Sequence, residues 1–280
     1  MLSVTRLCSV LGVSRSGYYC WLHKKDKPPK NDDIRLKELI HQIVLEFVGY
    51  GYRRVTYDLR RRGYVVNHKK VLRVMREENL VCRRSRGKFR TTMSSHGLPV
   101  YPNMAKEMEL TNINQLWVSD ITYICVSSRF LYLSVLLDAY SRKCVGWHLS
   151  RNIDTELVLT ALHKALERRN QLDICGMVHH SDRGVQYASV EYTECLKLSN
   201  VNISMSRVGN PYDNSFAESF IKTLKVEEVY QTEYENYKEA YAGIERFIDL
   251  YNGKRLHSSL GYIPPDEFEE QLMKQQSTLS

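Results

Sequence analysis

Between residues 115 and 149 three apolar segments follow one another with short breaks, Gln115–Val126, Phe130–Ala139 and Cys144–Leu149, and this succession limits the fold more than any other stretch. Their β-branched and aromatic content predicts strands, and breaks as short as Ser127-Ser128-Arg129 and Ser141-Arg142-Lys143 suit antiparallel neighbours. A helical period then takes over. Leu157, Val158, Ala161, Leu162, Ala165 and Leu166 form one face of a helix from Thr155 to Asn170, capped by Asp154. A strand over 175–181, a helix over 189–199, a strand Val201–Ser206 and a helix with apolar positions 216, 217, 220, 221 and 224 complete the order βββαβαβα.

That order is the one of the ribonuclease-H-like fold. The expected architecture is α/β: a mixed five-stranded sheet with helices on both faces, preceded by a small all-α helix-turn-helix region. In such a sheet the first and fourth strands lie side by side. Asp120 sits in the first and Asp182 ends the fourth, so the two come together; Glu218 lies within the last helix. Three acids on two strands and a helix are what a two-metal phosphoryl-transfer site needs. A hard divalent cation takes oxygen ligands and keeps several waters, leaving room for substrate phosphate. Two ions about 3.5–4 Å apart stabilise the attacking and leaving oxygens of an in-line displacement. Without cations the three carboxylates repel one another.

Charge is divided unevenly. Residues 1–110 hold 23 Lys and Arg against 10 Asp and Glu, a surplus of 13; residues 111–280 hold 17 against 22, a deficit of 5. A basic front and an acidic back suggest a part that holds DNA and a part that holds metal, against the plainer alternative of a solvated basic surface. Residues 3–22 carry a miniature helix-turn-helix pattern with a turn at Gly12 and a cap at Ser14, fitting DNA contact or simple packing equally. Lys24 to Asp33 reads as a linker, and Ile34 to Phe47 as an amphipathic helix. Next, Arg53 and Arg54 open a helix that Gly63 stops, and Asn67 caps another on which His68, Lys69, Arg73 and Arg76 recur three or four apart. Such a face reads a groove or is merely solvated. Arg83, Arg84, Arg86 and Lys88 follow in a segment too charged for a core. Seven scattered cysteines without a C-x-x-C pair argue against zinc and fit small buried hydrophobes in a reducing cytoplasm. No run approaches about 18 apolar residues, so no membrane span is expected.

Local strings narrow the reading. The chain contains Trp117-Val118-Ser119-Asp120-Ile121-Thr122-Tyr123, Leu137-Asp138-Ala139-Tyr140-Ser141-Arg142 and His180-Ser181-Asp182-Arg183-Gly184. It also contains Gly209-Asn210-Pro211-Tyr212-Asp213-Asn214 and the set Tyr251, Asn252, Arg255, His257, Leu260, Gly261, Tyr262 and Pro264. Asp182 and Glu218 are separated by 35 residues. Over about residues 50–265 the chain resembles the OrfB part of bacterial insertion-sequence transposases of the IS-three type, within the DDE transposase and retroviral integrase superfamily.

The resemblance implies that Asp120, Asp182 and Glu218 are catalytic metal ligands, holding Mg²⁺ or Mn²⁺, with two ions per site. It implies metal-dependent strand cleavage and transfer of a DNA 3′-OH to a phosphodiester. Asn214, Lys222 and Lys225 share the Glu218 face of the helix and are candidates to hold DNA. His180 either orients the scissile phosphate from behind the ligands or packs within its strand. Arg255 and His257 either meet DNA or brace the last helices. Double-stranded DNA, as element ends and target, is the implied partner, with a dimer or larger assembly on it. No a/d heptad run is present, so an upstream-frame OrfA protein or fusion is a further expected partner. A cytoplasmic location follows. A DNA-binding regulator of transposition and a ribonuclease-H-like nuclease are the alternatives. The expected domains are a helix-turn-helix-like segment at 1–23, a basic helix-turn-helix region at 32–90, a linker at 91–111, a catalytic core at 112–230 and a C-terminal helical extension at 231–280.

Overall fold

The structure is a computed structural model that describes residues 3–25, 31–81, 98–127, 129–169, 174–207 and 214–279. Arg83, Arg84, Arg86 and Lys88, residues 91–97 of the expected linker and the string Gly209 to Asp213 lie outside the described residues.

At the front, α1 (Val4–Val10) and α2 (Arg15–Lys25) form a hairpin that turns at Gly12, whose φ of +64° suits glycine. Ser14 caps the second helix by accepting the Gly17 N–H at 3.0 Å. Val10, Leu11 and Trp21 remain exposed on this hairpin. Three helices come next, α3 (Asn31–Glu46), α4 (Tyr52–Arg61) and α5 (His68–Glu77). Asn67 accepts the Lys69 N–H at 2.8 Å, and Gly63 stops α4 with φ +85°. They enclose a small core of Ile40, Ile43, Phe47, Tyr50, Val55, Leu59, Val71, Val74 and Met75. Leu256, distant in sequence, completes it.

The sheet follows the expected plan. β1 (Leu116–Val126), β2 (Arg129–Asp138) and β3 (Cys144–Ser150) form an antiparallel meander, with β4 (Val178–Ser181) and β5 (Asn202–Met205) added in parallel, in the order β3-β2-β1-β4-β5. This is a ribonuclease-H-like mixed sheet. α6 (Thr155–Arg168) and α7 (Val190–Leu198) cover one face, packing on Trp117, Leu136 and Ile203. The opposite face, with Leu116, Val118 and Leu133, is covered by α8 (Ser215–Leu224) and α9 (Tyr237–Gly253).

α9 corrects one expectation. Ala240, Ile244, Phe247, Ile248 and Tyr251 belong to the same buried cluster as the sheet, so the stretch after 231 supplies half of a core layer instead of extending beyond it. α10 (Pro265–Leu279) is tied to the sheet by Glu269, which receives bonds from Arg169 at 2.5 Å, Ser141 at 2.6 Å and Lys143 at 3.1 Å. The cysteines depart from expectation too, since Cys20, Cys125 and Cys175 are exposed and only Cys8 and Cys144 are buried among those described. Among the described residues no helix is long and apolar enough to cross a membrane.

Candidate active site

β1 and β4 run parallel, with Trp117 opposite His179 and Val118 opposite His180. Two residues further along each strand stand Asp120 and Asp182, level with one another on chains that a sheet spaces about 4.8 Å apart. Alternation turns both toward the face of Leu116, Val118 and Val178, the face that α8 covers. The Asp182 carboxylate accepts the Gly184 N–H at 2.9 Å, and a Cβ at Gly184 would stand 3.0 Å from that same oxygen. Glu218 lies in the first turn of α8 and is exposed. Among the described residues no three ligating side chains already converge on one point, so the three acids form an open arrangement and not a closed cage.

Crowding is recorded in Asp120. Burial, then the Asp182 carboxylate, push its acid form up to about 8, with Glu218 adding to the push; the Ile121 N–H bond at 2.9 Å and Lys225 work against it. Partial loss of hydration where α8 meets the sheet also raises Glu218 above its ordinary value. A carboxylate pushed toward its protonated form by burial and, after that, by neighbouring carboxylates is part of a hard-oxygen donor set that suits a divalent cation. A pH dependence follows. Asp120 binds its proton more tightly folded than unfolded, so its contribution to stability is complete below about pH 4 and is lost as pH rises through about 8. In metal-free protein, wild type minus Asp120→Asn should show a melting temperature that falls between those limits, and Mn²⁺ should reverse the fall most strongly near pH 8. A flat difference across that range would rule out the crowding.

Around the acids, Asn214 is buried and donates its amide to the Ser119 carbonyl at 2.9 Å, fastening the start of α8 to β1 beside Asp120. Its Oδ1 is buried with no hydrogen-bond donor among the described residues. Lys222 is exposed one turn beyond Glu218. Lys225 lies with its ammonium 5.1 Å from the Tyr123 ring centroid; burial lowers its pKa, and the Asp120 charge opposes that. His180 is fully buried, with Nδ1 2.8 Å from Ser204 and Nε2 2.9 Å from Ser206. Both ring nitrogens thus lie within hydrogen-bond reach of β5 and the residue after it.

In the basic region Arg53, His68, Lys69, Arg73 and Arg76 are exposed along α4 and α5. Arg54 is not among them. It turns inward to donate to the Leu256 carbonyl at 3.1 Å. Arg255 also departs from a DNA-contacting role, being 3% exposed and bound through two nitrogens to Glu227 at 2.8 and 2.7 Å. His257 is half-buried beside it, and burial, with Arg255, Arg54 and Arg142, lowers its pKa to about 3. Sequence reasoning missed Glu227 and Glu228. A signal was present, because they occupy the positions where the apolar period 217, 220, 221, 224 next turns inward.

Comparison with known proteins identifies the family. Integrase core domain models match residues 111–211 and 199–265, and an HTH-like domain model matches residues 30–89. The chain is 40% identical over 268 residues to the insertion element IS600 uncharacterized 31 kDa protein of Shigella sonnei, covering 94% of this chain and 97% of that one. It is 34% identical over 273 residues to transposase InsF for insertion sequence IS3A of Escherichia coli (strain K12), covering 95% and 94%. Among solved structures, the HTLV-2 integrase catalytic core domain in complex with magnesium is similar at 15% identity with a TM-score of 0.44, over 56% of this chain and 96% of that one. The coverage of both curated relatives is nearly complete, and the chain belongs to the IS3 family of insertion-sequence transposases.

Proposed function

We propose that this transposase cleaves DNA at the ends of its insertion sequence and joins the freed 3′-OH to a second phosphodiester, with Asp120, Asp182 and Glu218 as its catalytic carboxylates. The observation that carries this reading is the level pair of aspartates on adjacent parallel strands beneath the helix of Glu218. Those three side chains would hold Mg²⁺ or Mn²⁺, two ions per site. When bound, such ions activate water and stabilise both the attacking and the leaving oxygen. Asn214 fixes the helix against β1, and Lys222 and Lys225 set positive charge on the side where phosphates approach. Each joining breaks one phosphodiester and forms one, so no nucleotide cofactor is required.

The exposed face of Arg53, His68, Lys69, Arg73 and Arg76 holds the duplex. The run of Arg83, Arg84, Arg86 and Lys88 continues that charge in the sequence. Double-stranded DNA is the partner, and because two ends are joined the working form is a dimer or larger, with an upstream-frame OrfA protein or fusion as a further partner in the bacterial cytoplasm. Lys69→Ala and Arg76→Ala should each reduce the slope of log affinity against log salt by about 1. Filter binding across salt concentrations checks this, and an unchanged slope removes these residues from the interface.

The deciding experiment is joining of a labelled, precleaved element end into plasmid with Mn²⁺ or Mg²⁺. Joined products support the transposase chemistry. Nicks alone indicate a nuclease, and bound but unaltered DNA a regulator.

A further inference from the structure

We infer that Arg255 is a positioning residue for Glu218: paired with Glu227, it holds a π turn under the catalytic helix, and the basic helical region carries that clamp. The inference rests on the proposed role of Glu218. α8 runs without interruption into a π turn, Lys225–Val229, in which the Tyr230 N–H reaches back five residues to the Lys225 carbonyl at 2.8 Å. A π turn holds one residue more than an α turn and survives only where the surroundings favour it. Relaxing it to α geometry shifts the register by one residue, a rotation of about 100° between α8 and all that follows. Glu218 would be carried away from the face it shares with Asp120 and Asp182. The turn therefore supplies two discrete arrangements, the physical requirement for coupling between distant parts.

Glu227 selects between them. It is buried at the inner side of the turn and held by Arg255 through two bonds, a geometry that fixes direction as well as distance. A one-residue shift would withdraw Glu227 from that fork. The basic helical region grips both halves of the pair. On one side, Gly49 lies so close that any Cβ there would collide with the Glu227 carboxylate. On the other, Leu256 follows Arg255 directly; its N–H donates to the Tyr50 hydroxyl at 2.7 Å, its carbonyl accepts from Arg54 at 3.1 Å, and its side chain is buried in that region's core. Movement of the region that holds DNA is thereby passed to the helix that presents the third carboxylate.

Gly49→Ala tests this from outside the active site, with Glu227→Gln and Arg255→Lys as direct changes to the pair. Three quantities are read on the full chain: Mn²⁺ affinity by electron paramagnetic resonance without DNA, kcat and KM for joining the precleaved end, and amide exchange across Lys225–Tyr230. Gly49→Ala and Glu227→Gln should weaken Mn²⁺ binding about tenfold. They should lower kcat roughly 100-fold with KM for the end duplex little changed, and speed exchange in the turn but not in α6. Arg255→Lys keeps the charge without the fork and should fall between these and wild type. Wild-type Mn²⁺ affinity and turn exchange in a folded Gly49→Ala protein would overturn the inference, as would a loss confined to KM, which would make Arg255 a DNA contact. Should Gly49→Ala not fold, Glu227→Gln decides by the same readouts. Should the wild type join nothing, the strand-transfer reading fails, while Mn²⁺ affinity and amide exchange still decide the role of the clamp.

Discussion

Glu218→Gln is expected to lower strand joining by roughly 10³-fold or more while the protein still binds duplex DNA. The amide preserves the shape of the side chain but removes one of the three negative charges proposed to hold the metal ions. Several kcal/mol of charge stabilisation in the transition state depend on those ligands, and each 1.4 kcal/mol is about tenfold in rate. Asp182→Asn should behave similarly. Asp120→Asn separates function from stability, because its carboxylate is disfavoured by burial and by Asp182 in the folded chain. That variant should join nothing yet melt higher than metal-free wild type near pH 8. Joining gels beside thermal melts check the pair of results. A Glu218→Gln protein that joins within tenfold of wild type would remove this residue from the chemistry.

The second large effect concerns stability. Arg169→Met should destabilise the protein by about 3–5 kcal/mol, since it leaves the Glu269 charge buried without its main partner. The two side chains are 4% and 3% exposed and 2.5 Å apart, so solvent does not screen them. Ser141 and Lys143 remain bonded to Glu269, which is why the loss should not exceed that range. Burial raises the Glu269 carboxyl, but the Arg169 bond and charge, with Lys143 and Ser141, together outweigh it and the net shift is downward. A lowered carboxyl contributes stability that is present above its unfolded value, about 4.3, and is lost as pH falls through the folded one. The difference between wild type and Arg169→Met in urea melts should therefore shrink in acid. Replacing both residues by Met should recover most of the loss. A single-variant loss below about 1 kcal/mol would show that α10 is held by other contacts.

Local signals in this chain were legible where short-range physics decides the outcome. Ser14, Asn67 and Asp154 cap the helices they were expected to cap, at 3.0, 2.8 and 3.1 Å. Apolar periods separated strands from helices in an order matching the ribonuclease-H-like fold, in which the first and fourth strands are neighbours, as β1 and β4 are here. The basic stripe on α5 is exposed because a 3.6-residue period keeps its members on one side. What was illegible depends on contacts between residues far apart. Nothing near Arg54 or Arg255 distinguishes an inward guanidinium from one facing solvent; their partners, Leu256 and Glu227, are supplied by the tertiary fold. His180 reads like an active-site histidine until Ser204 and Ser206 are seen to engage both its nitrogens. The π turn has no sequence pattern of its own, beyond two acids at inward positions.

Leu256 completes the core formed by α3, α4 and α5, and this has a consequence for synthesis. A ribosome releases the chain from its N-terminus, and units with local contacts fold as they emerge. Here the core of α3, α4 and α5 lacks one of its buried members until Leu256 has left the exit tunnel. A nascent chain that stops short of Leu256 presents Tyr50 without the N–H that its hydroxyl accepts, so this small core and the segment after α9 reach their final packing together.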